Sequence, residues 1–175
     1  LQEAGCAPLT AADSTKDALA QDKKEVETFL NNVANSVVKD GSAYSAIKMA
    51  VPADYFKQTE DEFSAYTKTL DPSDEAYGMT FEQFIDALLS AQIKSITNSV
   101  QSIKISVADL SDCKSKLTAD QKQMYASCGD IAKAYIAKIK SDVTFKPGAD
   151  TSGYNTDDLG KITVVNAGGN WYIAG

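Results

Sequence analysis

The sequence predicts an α+β fold in which N-terminal helices pack on one face of a curved, mostly antiparallel four-stranded sheet. Three observations carry this. The hydrophobic period is helical up to about residue 100 and two thereafter. Charge breaks at the same place: residues 1–100 hold 16 acids and 8 lysines, net −8, while residues 101–175 hold 8 acids and 9 lysines, net +1. One amphipathic helix stripe and one half-apolar sheet face must then cover each other. At 175 residues the chain has the size of one domain. We read a flexible tether over 1–13 and a single domain over 14–175, its helical half 14–100 and its sheet half 101–175.

Val26, Phe29, Leu30, Val33, Ala34, Val37 and Val38 follow helical spacing over three turns, with Ala18 and Leu19 upstream. Asp13 or Ser14 can cap this first helix and Asp40-Gly41 stops it. Lys23, Lys24, Glu27, Asn31 and Asn35 fall on its other side, which reads as solvated. A short helical turn around Tyr44, Ile47 and Met49 ends before Val51-Pro52, because a residue preceding proline avoids the α region. Pro52 opens the next helix. After the turn Leu70–Asp74, Thr80 and Gln83 form a capping box, and Phe81 to Val100 reads as one long apolar stripe. Ile103, Ile105 and Val107 then alternate with polar residues, and a helix follows over Thr118–Ser127 with Leu117, Met124 and Tyr125 on its buried side. Over 133–146 the apolar positions are Tyr135, Ala137, Ile139, Val143 and Phe145, with Lys138, Lys140, Asp142, Thr144 and Lys146 opposite. This alternation is a strand. A polar loop, Pro147–Gly160, leads to a hairpin of Ile162–Val165 with Asn170–Ile173.

Composition removes much familiar chemistry. All 17 bases are lysine and histidine is absent, so there is no Ser-His or Cys-His nucleophile, no imidazole ligand and no arginine clamp. A pI near 4.6 argues against nucleic acid, and no apolar run reaches the length of a membrane helix. No cofactor or metal is expected. The loop Asp150–Asp158 departs from a calcium-loop pattern, since tyrosine stands at its fifth position.

Of the three cysteines, Cys113 and Cys128 enclose 14 residues. A disulfide closing that loop would contribute about 3 kcal/mol and presupposes an oxidising compartment. The alternative is two separate thiols under the sheet. Ala4-Gly5-Cys6 resembles the end of a bacterial lipoprotein signal, with Cys6 as the lipidated residue, although Glu3 stands where leucine is usual and no apolar segment precedes it.

The terminal signature, Tyr135-x-x-Lys138-Ile-Lys140-x-x-Val143-x-Phe145, then Lys161-Ile-Thr-Val-Val165 and Gly169-Asn-Trp-Tyr-Ile173, resembles the cone-shaped, cystatin-like proteins of the nuclear transport factor 2 class. Its nearest likeness is to small exported bacterial proteins and lipoproteins. The first helix and Asp40-Gly41-Ser42-Ala43-Tyr44 resemble their opening. The resemblance implies the fold and an extracytoplasmic, bacterial setting (cell-surface, periplasmic or secreted), and says almost nothing about activity.

Two residue clusters bear on function. Tyr44, Phe84, Tyr135, Phe145 and Trp171 are candidates to line an apolar pocket, against the reading that they are core. Lys104, Lys138, Lys140, Lys146 and Lys161 form a basic stripe on the open sheet face, which fits an acidic partner or a face that resists edge pairing. The expected function is that of a non-enzymatic domain binding a small apolar ligand or a partner protein. The alternatives are a small-molecule isomerase or lyase using the cone, and a structural adaptor forming a homodimer through its sheet.

Overall fold

The computed structural model describes residues 11–154 and 160–174. These form helices α1 (Ala11–Asp40), α2 (Ala43–Ala50), α3 (Ala53–Thr67), α4 (Phe81–Leu88) and α5 (Ser90–Ser99), then β1 (Val100–Asp112), α6 (Ala119–Met124), β2 (Ile131–Phe145), β3 (Gly160–Ala167) and β4 (Asn170–Ile173). The strands make one antiparallel meander in the order β1-β2-β3-β4, curled into a half-barrel with helices packed against it. The expected fold class is the one observed. Among the described residues no helix is long and apolar enough to cross a membrane.

The stripe on α1 does what its spacing dictates. Val26 and Leu30 are buried against Val107, Leu110, Ala137 and Val164 on the concave side of the sheet, each such side chain contributing about 1.5–3 kcal/mol. Gly41 ends the helix at φ +63°, its N–H reaching back to the Val37 carbonyl at 3.0 Å. At the other end α1 starts earlier than expected. Asp13 and Ser14 lie inside it, so the last three tether residues are helical, as their Ala11-Ala12 lead favours. The rest of the tether, Cys6 included, lies outside the described residues.

Two expectations about the helical half need correction. The apolar run from Phe81 is not one helix: it breaks at Leu89 (φ −107°, ψ 10°) into α4 and α5. Both segments still feed one cluster, where Ile85 and Ile93 pack with Ala43, Tyr44, Ile47, Phe81 and Phe84. The Thr80–Gln83 capping box is present as read.

The polar side of α1 is not simply solvated either. Asn31 donates from Nδ2 to the Ile105 carbonyl (2.8 Å) and accepts the Ile105 N–H at Oδ1 (2.7 Å). Asn35 does the same with Ile103, at 2.7 and 3.1 Å. Glu27 accepts the Val107 N–H (2.7 Å), and Lys23 donates to the Ala108 carbonyl (3.2 Å). These residues dock on the outer edge of β1; of the five expected in water, Lys24 is the exposed one.

The sheet is covered on both faces at one end. Between β1 and β2 the chain folds through two short 3₁₀ turns and α6. It lays Leu117 and Tyr125 on Ala134, Val165 and Ala167, forming a second core behind the sheet. Cys113 belongs to that core and Cys128 packs against it, both as free thiols, Cys113 buried and Cys128 half-buried. The β3–β4 hairpin turns at Gly168-Gly169 (φ +59° and +84°). A β-carbon on Gly168 would lie 2.4 Å from the Cys128 carbonyl oxygen, so this turn is pressed onto the crossover.

Candidate functional site

The five aromatic residues expected to share a pocket occupy three separate places. Tyr44 lies on α2 in an edge-on contact with Phe56 (5.2 Å between centroids), its hydroxyl bonded to the Glu60 carboxylate. Phe84 lies on α4 against Phe63 at 4.8 Å. Phe145, at the end of β2, meets Tyr154 at 5.1 Å. Tyr44 and Phe84 share the helical-cap cluster, and among the five only Tyr135 and Trp171 stack on one another, at 6.1 Å with 28° between their planes. The first three are packing residues of the helical cap and of the far sheet end.

The Tyr135–Trp171 pair sits beneath a groove between α1 and the β3–β4 hairpin. Its volume is about 760 Å³ and it is open to solvent. Phe29, Met49 and Trp171 supply its apolar surface, with Gln21, Lys24, Glu25 and Asn170 among its polar ones. A larger groove of about 850 Å³ lies by the β1–β2 crossover, but its walls carry Lys114 and Lys122 against Asp112 and Asp130 and no aromatic ring.

Every polar tip around the stacked pair is held. The Trp171 indole N–H donates to Glu25 Oε2 (3.0 Å), and Gln21 Nε2 donates to Glu25 Oε1 (3.0 Å). Those two bonds hold the Glu25 carboxyl below the usual glutamate range. The Tyr135 hydroxyl donates to Asp22 Oδ2 (2.6 Å), and Lys133 Nζ pairs with Asp22 Oδ1 (2.7 Å). Burial, and then the bond to Asp22, push the Tyr135 phenol well above its ordinary value. Asp22 itself is only 3% exposed.

Sequence reading found Tyr135 and Trp171 but missed Asp22, Glu25 and Lys133. Two of the three left a trace. Asp22 falls in the apolar stripe of α1, between Leu19 and Val26, and Lys133 falls on the odd-numbered face of β2 with Tyr135 and Ala137. A charge on a buried face needs a partner, and each is the other's.

The basic stripe is confirmed only in part as a geometric feature. Strand alternation puts Lys104, Lys138, Lys140 and Lys161 on the convex face, all exposed, with Lys138 directly opposite Lys161. Lys140 is 3.7 Å from Asp142. Lys146 lies just past β2, and its Nζ donates to the Thr97 carbonyl at 2.5 Å. No protein-family profile matches this chain, and no curated protein and no solved structure is similar to it at a significant level.

Proposed function

We propose that this chain is a non-enzymatic, extracytoplasmic binding domain of the cone-shaped class resembling nuclear transport factor 2, and that it takes a small apolar ligand in the groove between α1 and the β3–β4 hairpin. One observation carries the reading: Trp171 lines the groove with its ring already fixed, stacked on Tyr135 and tethered to Glu25. A pre-positioned aromatic wall spends little of its binding energy on ordering side chains, and the groove's volume is in the range of small-molecule sites. A partner protein's protruding side chain is the other occupant this surface fits.

An isomerase or lyase would draw on the Asp22–Tyr135 pair. Asp22, however, has both oxygens engaged and almost no exposure, so a substrate would first have to displace Lys133 or Tyr135. That favours binding over proton abstraction.

Trp171 is the chain's one tryptophan, so its emission reports on the groove directly. Titration with 1-anilinonaphthalene-8-sulfonate is expected to quench it saturably by energy transfer, and Phe29→Ala with Met49→Ala to weaken that binding about tenfold or more. Probe binding that leaves Trp171 emission unchanged, or that the double variant retains in full, would sink the proposal.

A further inference from the structure

We infer that the polar ladder of α1 is a guard. Glu27, Asn31 and Asn35 stand in for a fifth strand on the outer edge of β1, and they bar a second copy of this chain from pairing there.

β1 runs for 13 residues and is first in the sheet order, so among the described residues one of its edges has no strand neighbour. A long free edge of that kind is a template for edge-to-edge association. Here Ile103 and Ile105 each have both backbone groups satisfied by one side-chain carboxamide. That is the donor–acceptor pair an opposing strand residue would present. Val107 N–H is taken by Glu27. The match works because four residues of helix rise about 6 Å while two residues of strand advance roughly 6.4–6.8 Å. Successive rungs at i, i+4 and i+8 therefore meet alternate residues of a strand running the other way. Cohesion between helix and sheet alone would be served by apolar side chains, as Val26 and Leu30 show on the next face. Carboxamides in bidentate register serve the backbone.

The occupant excluded is a second copy, because antiparallel pairing of β1 with itself is self-complementary and closes as a two-fold dimer. β4, on the opposite edge, is four residues long, and short edges pose little hazard.

The test is the double variant Asn31→Leu/Asn35→Leu, which keeps side-chain size and removes the amides. Its mass by light scattering is expected to rise roughly twofold with concentration, with the Ile103 and Ile105 amides gaining exchange protection in the concentrated sample only. The wild type is expected to hold those amides protected at every concentration. A folded double variant that keeps the wild type's mass overturns the inference and leaves the ladder a purely stabilising contact. If the double variant does not fold, Asn35→Leu replaces it under the same criteria. In the wild type, Ile103 and Ile105 amides exchanging at free-peptide rates would overturn the inference by themselves.

Discussion

Asp22 and its ion-pair partner are unequally placed: the carboxylate is 3% exposed, whereas the Lys133 side chain is 43% exposed. The more exposed partner should therefore be the costlier one to remove. Lys133→Met leaves a buried carboxylate with only the Tyr135 hydroxyl, at an expected cost of about 2–3 kcal/mol, below the figure for a fully buried pair because water reaches one side. Asp22→Ala frees Lys133 to hydrate and orphans only the phenol, for about 1–2 kcal/mol. Urea unfolding of the two variants checks the order, and a larger loss for Asp22→Ala would contradict it. Trp171 is half-buried, so truncation to alanine should cost about 2–3 kcal/mol rather than the full value of an enclosed indole.

Phenols give a second residue-scale expectation. Tyr44 is pushed up to about 12 by its bond to Glu60 and then by burial, and Tyr125 to about 12 by burial. Tyr135 is raised as well, by burial and then by its bond to Asp22. Each of these groups holds its proton more tightly folded than unfolded. Their contribution to stability is complete below the unfolded value near 10 and is lost as pH rises through the folded values. Tyr172 joins them, raised by burial and then by its contact with Cys128, so absorbance titration should show these four of the eight tyrosines ionising late, in step with loss of near-ultraviolet dichroism. Normal ionisation of all eight would refute this. Glu25 works the other way, its stabilisation present above the ordinary glutamate value and fading as pH falls through its depressed one.

Among the elements, the hairpin separates two costs that are usually confounded. Gly168 and Gly169 both have positive φ, but only Gly168 has a carbonyl oxygen in its β-carbon's place. Gly169→Ala should cost about 1 kcal/mol for its backbone conformation, and Gly168→Ala at least about 2 kcal/mol because the Cys128 backbone must also move. Equal melting temperatures for the two variants would show that the turn does not press on the crossover. The strands and one cap were legible in the sequence for local reasons: β2 alternates at period two, and Thr80 and Gln83 are within reach of one another before any tertiary contact exists. The polar side of α1 was not. Asn31 and Asn35 look like any solvated carboxamides until a strand some seventy residues away lies beside them. The break at Leu89 was equally hidden, since the apolar spacing carries through it unchanged.

For the whole molecule, the sheet is a partition with unequal rooms, the principal core on its concave side and a smaller one behind it. This arrangement was half legible. Composition and period placed helices against a sheet, but the chain-local reading of 114–128 could not say which face it would cover. The aromatic candidates were dispersed for the same reason: residues alike in chemistry were sorted by topology into different clusters. The rear core gives a global prediction. Cys113 is buried there, and burial raises its thiol pKa, whereas Cys128 is partly open. In a Cys6→Ser background one thiol should react with a disulfide reagent at native conditions and the second only on unfolding. Equal fast rates would mean the rear core is not closed.

The two spacings that let α1 lie along β1 are close without being equal. Like the scales of a vernier, they slip by roughly 0.4–0.8 Å at every step. From Glu27 to Asn35 the slip remains within what a rotamer can absorb; by Lys39 and Gln101 the helix and strand have parted, and a cleft of about 660 Å³ opens between them. The run of rungs is self-limiting, so a longer β1 would need a curved helix or a real neighbouring strand. The reach of this helix along the sheet is set by arithmetic between two backbone repeats.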